Sequence, residues 1–284
     1  MAAPQSRSLN FSPAVMHKFD TIIMGVLNIT PDSFSDGGQY IGIDKAISRA
    51  QKMIEQGADI IDIGGESTRP GSSAASVSEE LDRVIPIIKE LSSVSNVTIS
   101  VDTSKPEVME QAVSAGASII NDVCALSEDG AISMASSLGV KVCLMHMQGK
   151  PRDMQINPTY NDVVGDIKEF FVNRIDTCIS AGINRDNIII DPGFGFGKTL
   201  DHNLEILRRL AEFNSIKLPV MVGMSRKSMI GSLLGERVVD DRVMGSAAAA
   251  MIAVQNGASI VRVHDVMETK DALSVLHRVD QLKG

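Results

Sequence analysis

Eight short runs rich in Ile and Val, alternating with amphipathic stretches and each leading into polar residues, predict a single (β/α)8 barrel with a short N-terminal extension. The runs are mostly apolar on both faces, as strands covered on each side should be. The length of 284 residues suits one barrel, and no proline-rich or low-complexity linker divides it. The expected division is residues 1–20 as extension and 21–284 as barrel. An open doubly wound sheet is the alternative, because alternation by itself leaves closure undecided.

In order, the strand runs are 21–27, 59–63, 97–101, 118–120, 141–145, 187–190, 218–222 and 259–263. Pro219 is acceptable near the start of the seventh, where a strand can do without a ladder donor. Amphipathic helices are expected at 44–56, 78–91, 106–115, 162–181, 203–213 and 245–256. Several helical segments close with glycine, at Gly57, Gly116, Gly139, Gly182 and Gly257. The phrases QGADIIDIG, AGASIINDV and NGASIVRVH each lead from a helix end through glycine into a buried strand, so a βα unit recurs at unequal intervals.

With 27 Lys and Arg against 35 Asp and Glu, the formal net charge is −8. That balance speaks against a general nucleic-acid partner, which requires a basic face. No apolar run approaches the roughly 20 residues needed to cross a bilayer. The first twenty residues hold no uninterrupted hydrophobic stretch of the secretory kind, so a cytoplasmic location is expected. Cys124, Cys143 and Cys178 are scattered and odd in number, unlike a disulfide framework or a zinc site.

The polar residues after the strands carry the functional signal. They are Asn28, Asp62 with Glu66, Asp102, Asn121, His146, Asp191, Ser225 with Arg226 and Lys227, and Arg262 with His264. A closed barrel brings all eight strand ends to one mouth, where such folds keep their chemistry. Any single one is also explained as a turn former or helix cap. Asp102 and Asp191 leave buried runs as carboxylates able to accept paired hydrogen bonds from an aminopyrimidinone edge, and Asn121 offers both donor and acceptor. Asp62, beside Gly64 and Gly65, is open to a structural role. The stretch DPGFGFGKT (191–199) lacks the Walker spacing; Phe196 is either a wall for a flat ring or plain core.

Arg226, Lys227, Arg262 and His264 gather cationic character late in the chain, where barrels often bind anions, although Arg226 equally suits a surface acid. The loops NITPDSFSDGG (28–38) and GGESTRPG (64–71) have the composition of segments that close over a ligand, or of solvated surface. His17, His202 and His277 read as surface or capping residues, and His146 is ambiguous. No His and Cys cluster resembles a transition-metal site; a metal here would be Mg²⁺ held through oxygen ligands and substrate phosphates.

Taken together, GVLNITPDSFSDGG, IDIGGESTRPG, ISVDTSKPEV, IINDV, VCLMHMQG, DPGFGFGK, VGMSRKSMIG and IVRVHDV closely resemble the bacterial dihydropteroate synthase family, in order, across about residues 21 to 280. The resemblance implies a barrel that condenses 6-hydroxymethyl-7,8-dihydropterin diphosphate with 4-aminobenzoate, yielding dihydropteroate and diphosphate for folate synthesis. It implies a pterin pocket of Asp102, Asn121, Asp191, Lys227 and Arg262, lined by Met145, Phe196 and Gly223. Asn28, Arg262 and His264, with Thr68 and Arg69, are implied at the diphosphate, and Asn28 at Mg²⁺. Phe34, Thr68, Pro70 and Ser228 are implied at the aminobenzoate, with Asp36 and Arg69 ordering the closed loops. Asp102, Asp191, Lys227, Arg262 and His264 are the implied catalytic set.

By the same resemblance, sulfonamides should compete with aminobenzoate, and a homodimer should form through late helices such as the Ala247–Ala250 region. The chemistry expected is diphosphate loss ahead of amine attack, with carboxylates steadying a pterin cation and cations steadying the leaving group. A pterin-binding methyltransferase barrel and a non-catalytic paralogue are the alternatives; TPDSFSDGG and SRK argue against the first, and intact Asn28, Arg69, Lys227 and Arg262 against the second. Cys124 stands where the family often has a basic residue.

Overall fold

Eight strands run parallel in one sheet: β1 Ile22–Asn28, β2 Ile60–Gly64, β3 Thr98–Asp102, β4 Ile119–Asp122, β5 Lys141–Met145, β6 Ile188–Asp191, β7 Met221–Val222 and β8 Ile260–Val263. Their order is β6-β5-β4-β3-β2-β1-β8-β7. A parallel bridge between Ile190 and Val220 joins the two ends, and the Ile190 N–H donates to the Pro219 carbonyl at 3.0 Å. The sheet is therefore closed into a barrel, and the open doubly wound alternative falls. The computed structural model describes residues 21–29, 39–66, 75–149 and 154–281.

Helices follow the strands: α1 Gln39–Glu55, α2 Val77–Val94, α3 Pro106–Ala115, α4 Ala131–Leu138, α5 Val163–Ser180, α6 Leu200–Arg208, α7 Ser228–Leu233, α8 Val243–Gln255 and α9 Val266–Gln281. Their starts follow from capping chemistry. The Ser76 hydroxyl takes the Glu79 N–H while Glu79 returns to the Ser76 N–H, and Asp162 accepts from the Val164 N–H. Thr199 caps α6 with His202 answering, which confirms His202 as a capping residue and starts this helix earlier than position 203. Past Arg208 the expected continuous helix tightens into a 3₁₀ segment, Leu210–Ile216. All five helix-terminal glycines expected from the sequence carry positive φ.

Alternation along the strands divides the core in two. Ile61, Ile63, Val101, Ile120, Leu144, Ile190, Val222 and Val263 face outward into the large apolar layer beneath the helices. Ile22, Met24, Ile60, Ile119, Cys143, Ile189, Met221 and Ile260 form a separate cluster inside the barrel. Cys143 is thus the small core residue that its apolar surroundings predict.

Candidate active site at the barrel mouth

Two residues beyond the inner apolar cluster, the same strand faces change character. Ile60 is followed by Asp62, Ile119 by Asn121, Cys143 by Met145, Ile189 by Asp191, Met221 by Gly223 and Ile260 by Arg262. Asp102 joins this level, paired in register with Gly64 and Asn121. A strand rises about 3.3 Å per residue, so the polar level lies one side-chain layer above an oily floor.

Arg262 organises that level. Its Nε donates to Asp62 Oδ2 at 2.6 Å and its Nη2 to Asp102 Oδ2 at 2.7 Å. Asn121 Nδ2 donates to the same Asp62 oxygen at 3.1 Å. Asp62 is fully buried, and its Oδ1 has no hydrogen-bond partner among the described residues. Burial pushes the Asp102 carboxyl up to about 7, against the pull of Arg262 and with the added repulsion of Asp62. Arg262 stays firmly charged: burial works against its charge, but Asp62 and Asp102 outweigh it. Asp62 is therefore the acid that locks Arg262, a larger role than a tight turn, and its position two residues after Ile60 was the available signal.

Across the mouth, Asp191 is buried and its Oδ1 accepts from the Gly193 N–H at 2.8 Å. Burial raises its carboxyl above the ordinary range, with Lys227 opposing. Lys227 Nζ donates to the Phe194 carbonyl at 2.6 Å and lies 4.5 Å from the centre of the Phe196 ring. Burial lowers this lysine to about 8 although Asp191 supports its charge. A Cβ built on Gly223 would stand 3.8 Å from Arg262 Cβ and 4.0 Å from Lys227 Nζ, so glycine there keeps the space between the two cations open. Phe194 is fully buried core, whereas Phe196 packs with Met145 and Met154 at the edge of the mouth.

The wall after β6 is locked to the end of β5. Gly193 has φ +72° and a Cβ there would run into the His146 carbonyl oxygen; Gly197, at φ +62°, approaches Gln148 in the same way. Lys198 is buried beneath them. Its Nζ lies 3.0 Å from His146 Nδ1, 3.3 Å from the His146 carbonyl and 2.9 Å from the Phe196 carbonyl. Burial lowers Lys198 to about 7 and, with the Lys198 charge, His146 to about 3. The sequence singled out neither as a pair. The signal was a lysine ending a glycine-rich strand-to-helix turn.

Asn28 ends β1, exposed, with its Oδ1 beside Gly64 and Asp102. Its amide oxygen accepts no hydrogen bond from a described residue, and no group of three or more His, Cys, Asp or Glu side chains able to hold a metal occurs among the described residues. Such a donor set fits Mg²⁺, which keeps waters and substrate phosphate oxygens and takes only one or two protein ligands. His264, at the end of β8, lies beside Ser225. Arg226 turns away to Asp265 at 2.6 Å and Asp240 at 3.1 Å, the acid pairing the sequence left open. Ser228 is the exposed first residue of α7. Phe34, Asp36, Thr68, Arg69 and Pro70 lie outside the described residues.

The pterin-binding enzyme family model matches residues 24–264. Dihydropteroate synthase of Escherichia coli K12 is 53% identical over 254 residues, covering 89% of this chain and 90% of that protein. The Yersinia pestis dihydropteroate synthase solved with a sulfonamide drug superposes with TM-score 0.89 at 47% identity, covering 98% of each chain. The Xanthomonas albilineans enzyme with 4-aminobenzoic acid gives 0.87 at 48% identity, covering 92% of this chain and 94% of that one. The same enzyme with 7,8-dihydropteroate gives 0.84 at 44%, covering 93% and 95%.

The chain belongs to the dihydropteroate synthase family.

Among the described residues, the phrases that resemble dihydropteroate synthases supply the inner face of the barrel at its polar level. The departure at Cys124 falls in the turn after β4, where its N–H donates to Asp122 Oδ1 at 2.8 Å. Asp122 also takes the Leu126 N–H at 2.8 Å, so this turn is fixed through backbone contacts that the Cys124 side chain does not supply. No helix among the described residues is long and apolar enough to cross a membrane.

Proposed function

We propose that the mouth binds 6-hydroxymethyl-7,8-dihydropterin diphosphate and 4-aminobenzoate and joins them into 7,8-dihydropteroate with release of diphosphate, in cytoplasmic folate synthesis. The observation carrying this reading is the single inner level holding Asp102, Asn121, Asp191, Lys227 and Arg262 above an apolar floor. A flat bicyclic ring with an amidine-like edge finds paired acceptors in the carboxylates, a bifunctional partner in Asn121, and walls in Met145 and Phe196. Gly223 leaves the gap between Lys227 and Arg262 through which the ring's substituent passes.

In the reaction, the bond between the pterin methylene carbon and the diphosphate oxygen breaks and the electron pair leaves with diphosphate. The aminobenzoate nitrogen then donates its lone pair to that carbon and loses a proton. Asp102 and Asp191, fixed in a site of low dielectric, stabilise the positive charge that develops on the ring. Arg262, His264 and Asn28, with Arg69 and Thr68, hold the diphosphate. Bound Mg²⁺ supplies charge neutralisation to the leaving oxygens, with Asn28 as its protein ligand. Phe34, Thr68, Pro70 and Ser228 form the aminobenzoate side, where sulfonamides compete; Asp36 and Arg69 order the loops that exclude water.

In this reading the protein acts as a homodimer. On α8, Ala247, Ala249 and Ala250 are buried against their own barrel while Met244, Ala248 and Ile252 are exposed, and the expected contact at the Ala247–Ala250 region uses that exposed face. Light scattering measures the assembly. Purified protein with Mg²⁺ and both substrates should release diphosphate and form dihydropteroate, inhibited by sulfonamides competitively with aminobenzoate. Absence of diphosphate release, or methyl transfer from a reduced folate, overturns the assignment.

A further inference from the structure

His264 and Ser225 meet at two points. The His264 backbone N–H donates to Ser225 Oγ at 3.1 Å, and the same Oγ lies 3.1 Å from His264 Nδ1. Ser225 is buried in the turn after β7, and the His264 carbonyl accepts from Arg49 Nη2 at 3.0 Å. A hydroxyl has one proton to give. Here its oxygen already accepts the His264 N–H, and among the described residues no other acceptor faces its proton. Given to Nδ1, that proton stays within the pair and leaves the ring proton on Nε2.

We propose that Ser225 is a positioning residue that holds His264 in the Nε2–H tautomer, presenting one fixed N–H donor at the barrel mouth. The tautomer matters because the ring is neutral near pH 7. Burial, reinforced by Arg262 and Arg226 and opposed by Asp265, lowers His264 to about 4. His264 follows Ile260 and Arg262 on the inward face of β8, so Nε2 lies on the side away from Ser225 and has no partner among the described residues. An Nε2–H donor suits an anionic oxygen; the other tautomer would offer a lone pair and repel it. The consequence for substrate rests on His264 belonging to the diphosphate site, whereas the tautomer itself does not.

The test uses ¹⁵N-histidine-labelled full-length protein without substrate, with His264→Gln identifying the resonances. Two-bond ¹H–¹⁵N correlation should show Nδ1 unprotonated and Nε2 protonated in the wild type. Ser225→Ala should move both nitrogens toward averaged values, and Ser225→Thr, which keeps the hydroxyl, should restore them. The KM for dihydropterin diphosphate should rise about 3- to 10-fold in Ser225→Ala, the range expected for a lost neutral hydrogen bond, with aminobenzoate KM little changed. A wild-type spectrum with Nδ1 protonated overturns the proposal even if Ser225→Ala does not fold, and so does an unchanged tautomer in a folded Ser225→Ala. A shifted tautomer with unchanged KM for the diphosphate substrate removes His264 from the diphosphate site instead.

Discussion

The Nε of Arg262 lies 2.6 Å from Oδ2 of Asp62, although 200 residues separate them along the chain. Parallel pairing makes this contact possible, by setting β8 beside β1 and β1 beside β2. Asp62→Asn removes one of two carboxylates holding the guanidinium, and it also removes a repulsion that raises Asp102. The acid limb of the kcat/KM profile should therefore move to lower pH, while kcat/KM at its optimum falls about 10-fold, as for a lost charge-assisted hydrogen bond. An acid limb moving upward would refute the coupling.

Asp102→Asn keeps the shape and removes the charge. Turnover should fall about 10²- to 10³-fold, the scale of losing one electrostatic contact to a transition state. Melting temperature should change little, because the neutral amide still meets Arg262. Steady-state kinetics beside calorimetry checks both halves.

The free enzyme's kcat/KM for the pterin substrate should be bell-shaped. Ionising Asp102 near pH 7 raises it, and loss of the Lys227 proton near pH 8 lowers it. Lys227→Met should abolish the alkaline limb while leaving the acid limb in place, which a pH series on the two proteins reads directly.

Lys198 offers a stability prediction. Its folded value near 7 lies below the ordinary 10.5, so the stability it contributes is present above about 10.5 and lost as pH falls to about 7. Relative to Lys198→Met, the wild type should lose melting temperature between about pH 10 and 7, with a constant difference below. A difference independent of pH over that window would show that the buried ammonium carries no such penalty.

Gly193→Ala should destabilise the protein by about 2–4 kcal/mol, since the new methyl meets the His146 carbonyl in a left-handed backbone. Pterin binding should weaken with it, because Asp191 Oδ1 loses its alignment with the Gly193 N–H. Urea unfolding and calorimetric titration with a pterin ligand measure the two effects.

Much of this was legible in the sequence because buried Ile- and Val-rich runs and glycine-closed helices leave local marks. Seven strands fall within two residues of their apolar runs. The seventh run, 218–222, is the exception and keeps only Met221–Val222 as strand; Pro219 has no N–H, and the β6 side is joined by a lone bridge at Val220. Asp102, Asn121, Asp191 and Arg262 were visible as polar ends of buried strands. In the sequence Asp62 stays open to a structural role because its glycine neighbours imply a turn, and the alternation that turns it inward is fixed once β2 is set in register. Lys198 and His146 escaped for a different reason. Their meaning is a contact across 52 residues, set by close backbone approach at Gly193 and Gly197, and no local pattern encodes that.

The eight apolar side chains beneath the charged layer act as a stopper. A vessel plugged at its base has one doorway, so ligands enter and depart by the same rim. Whatever settles against the stopper must arrive before its neighbour nearer the rim, and the joined product has to back out the same way. Traffic through that rim, rather than bond making, is then the natural place for mutations far from Asp102 to change the rate.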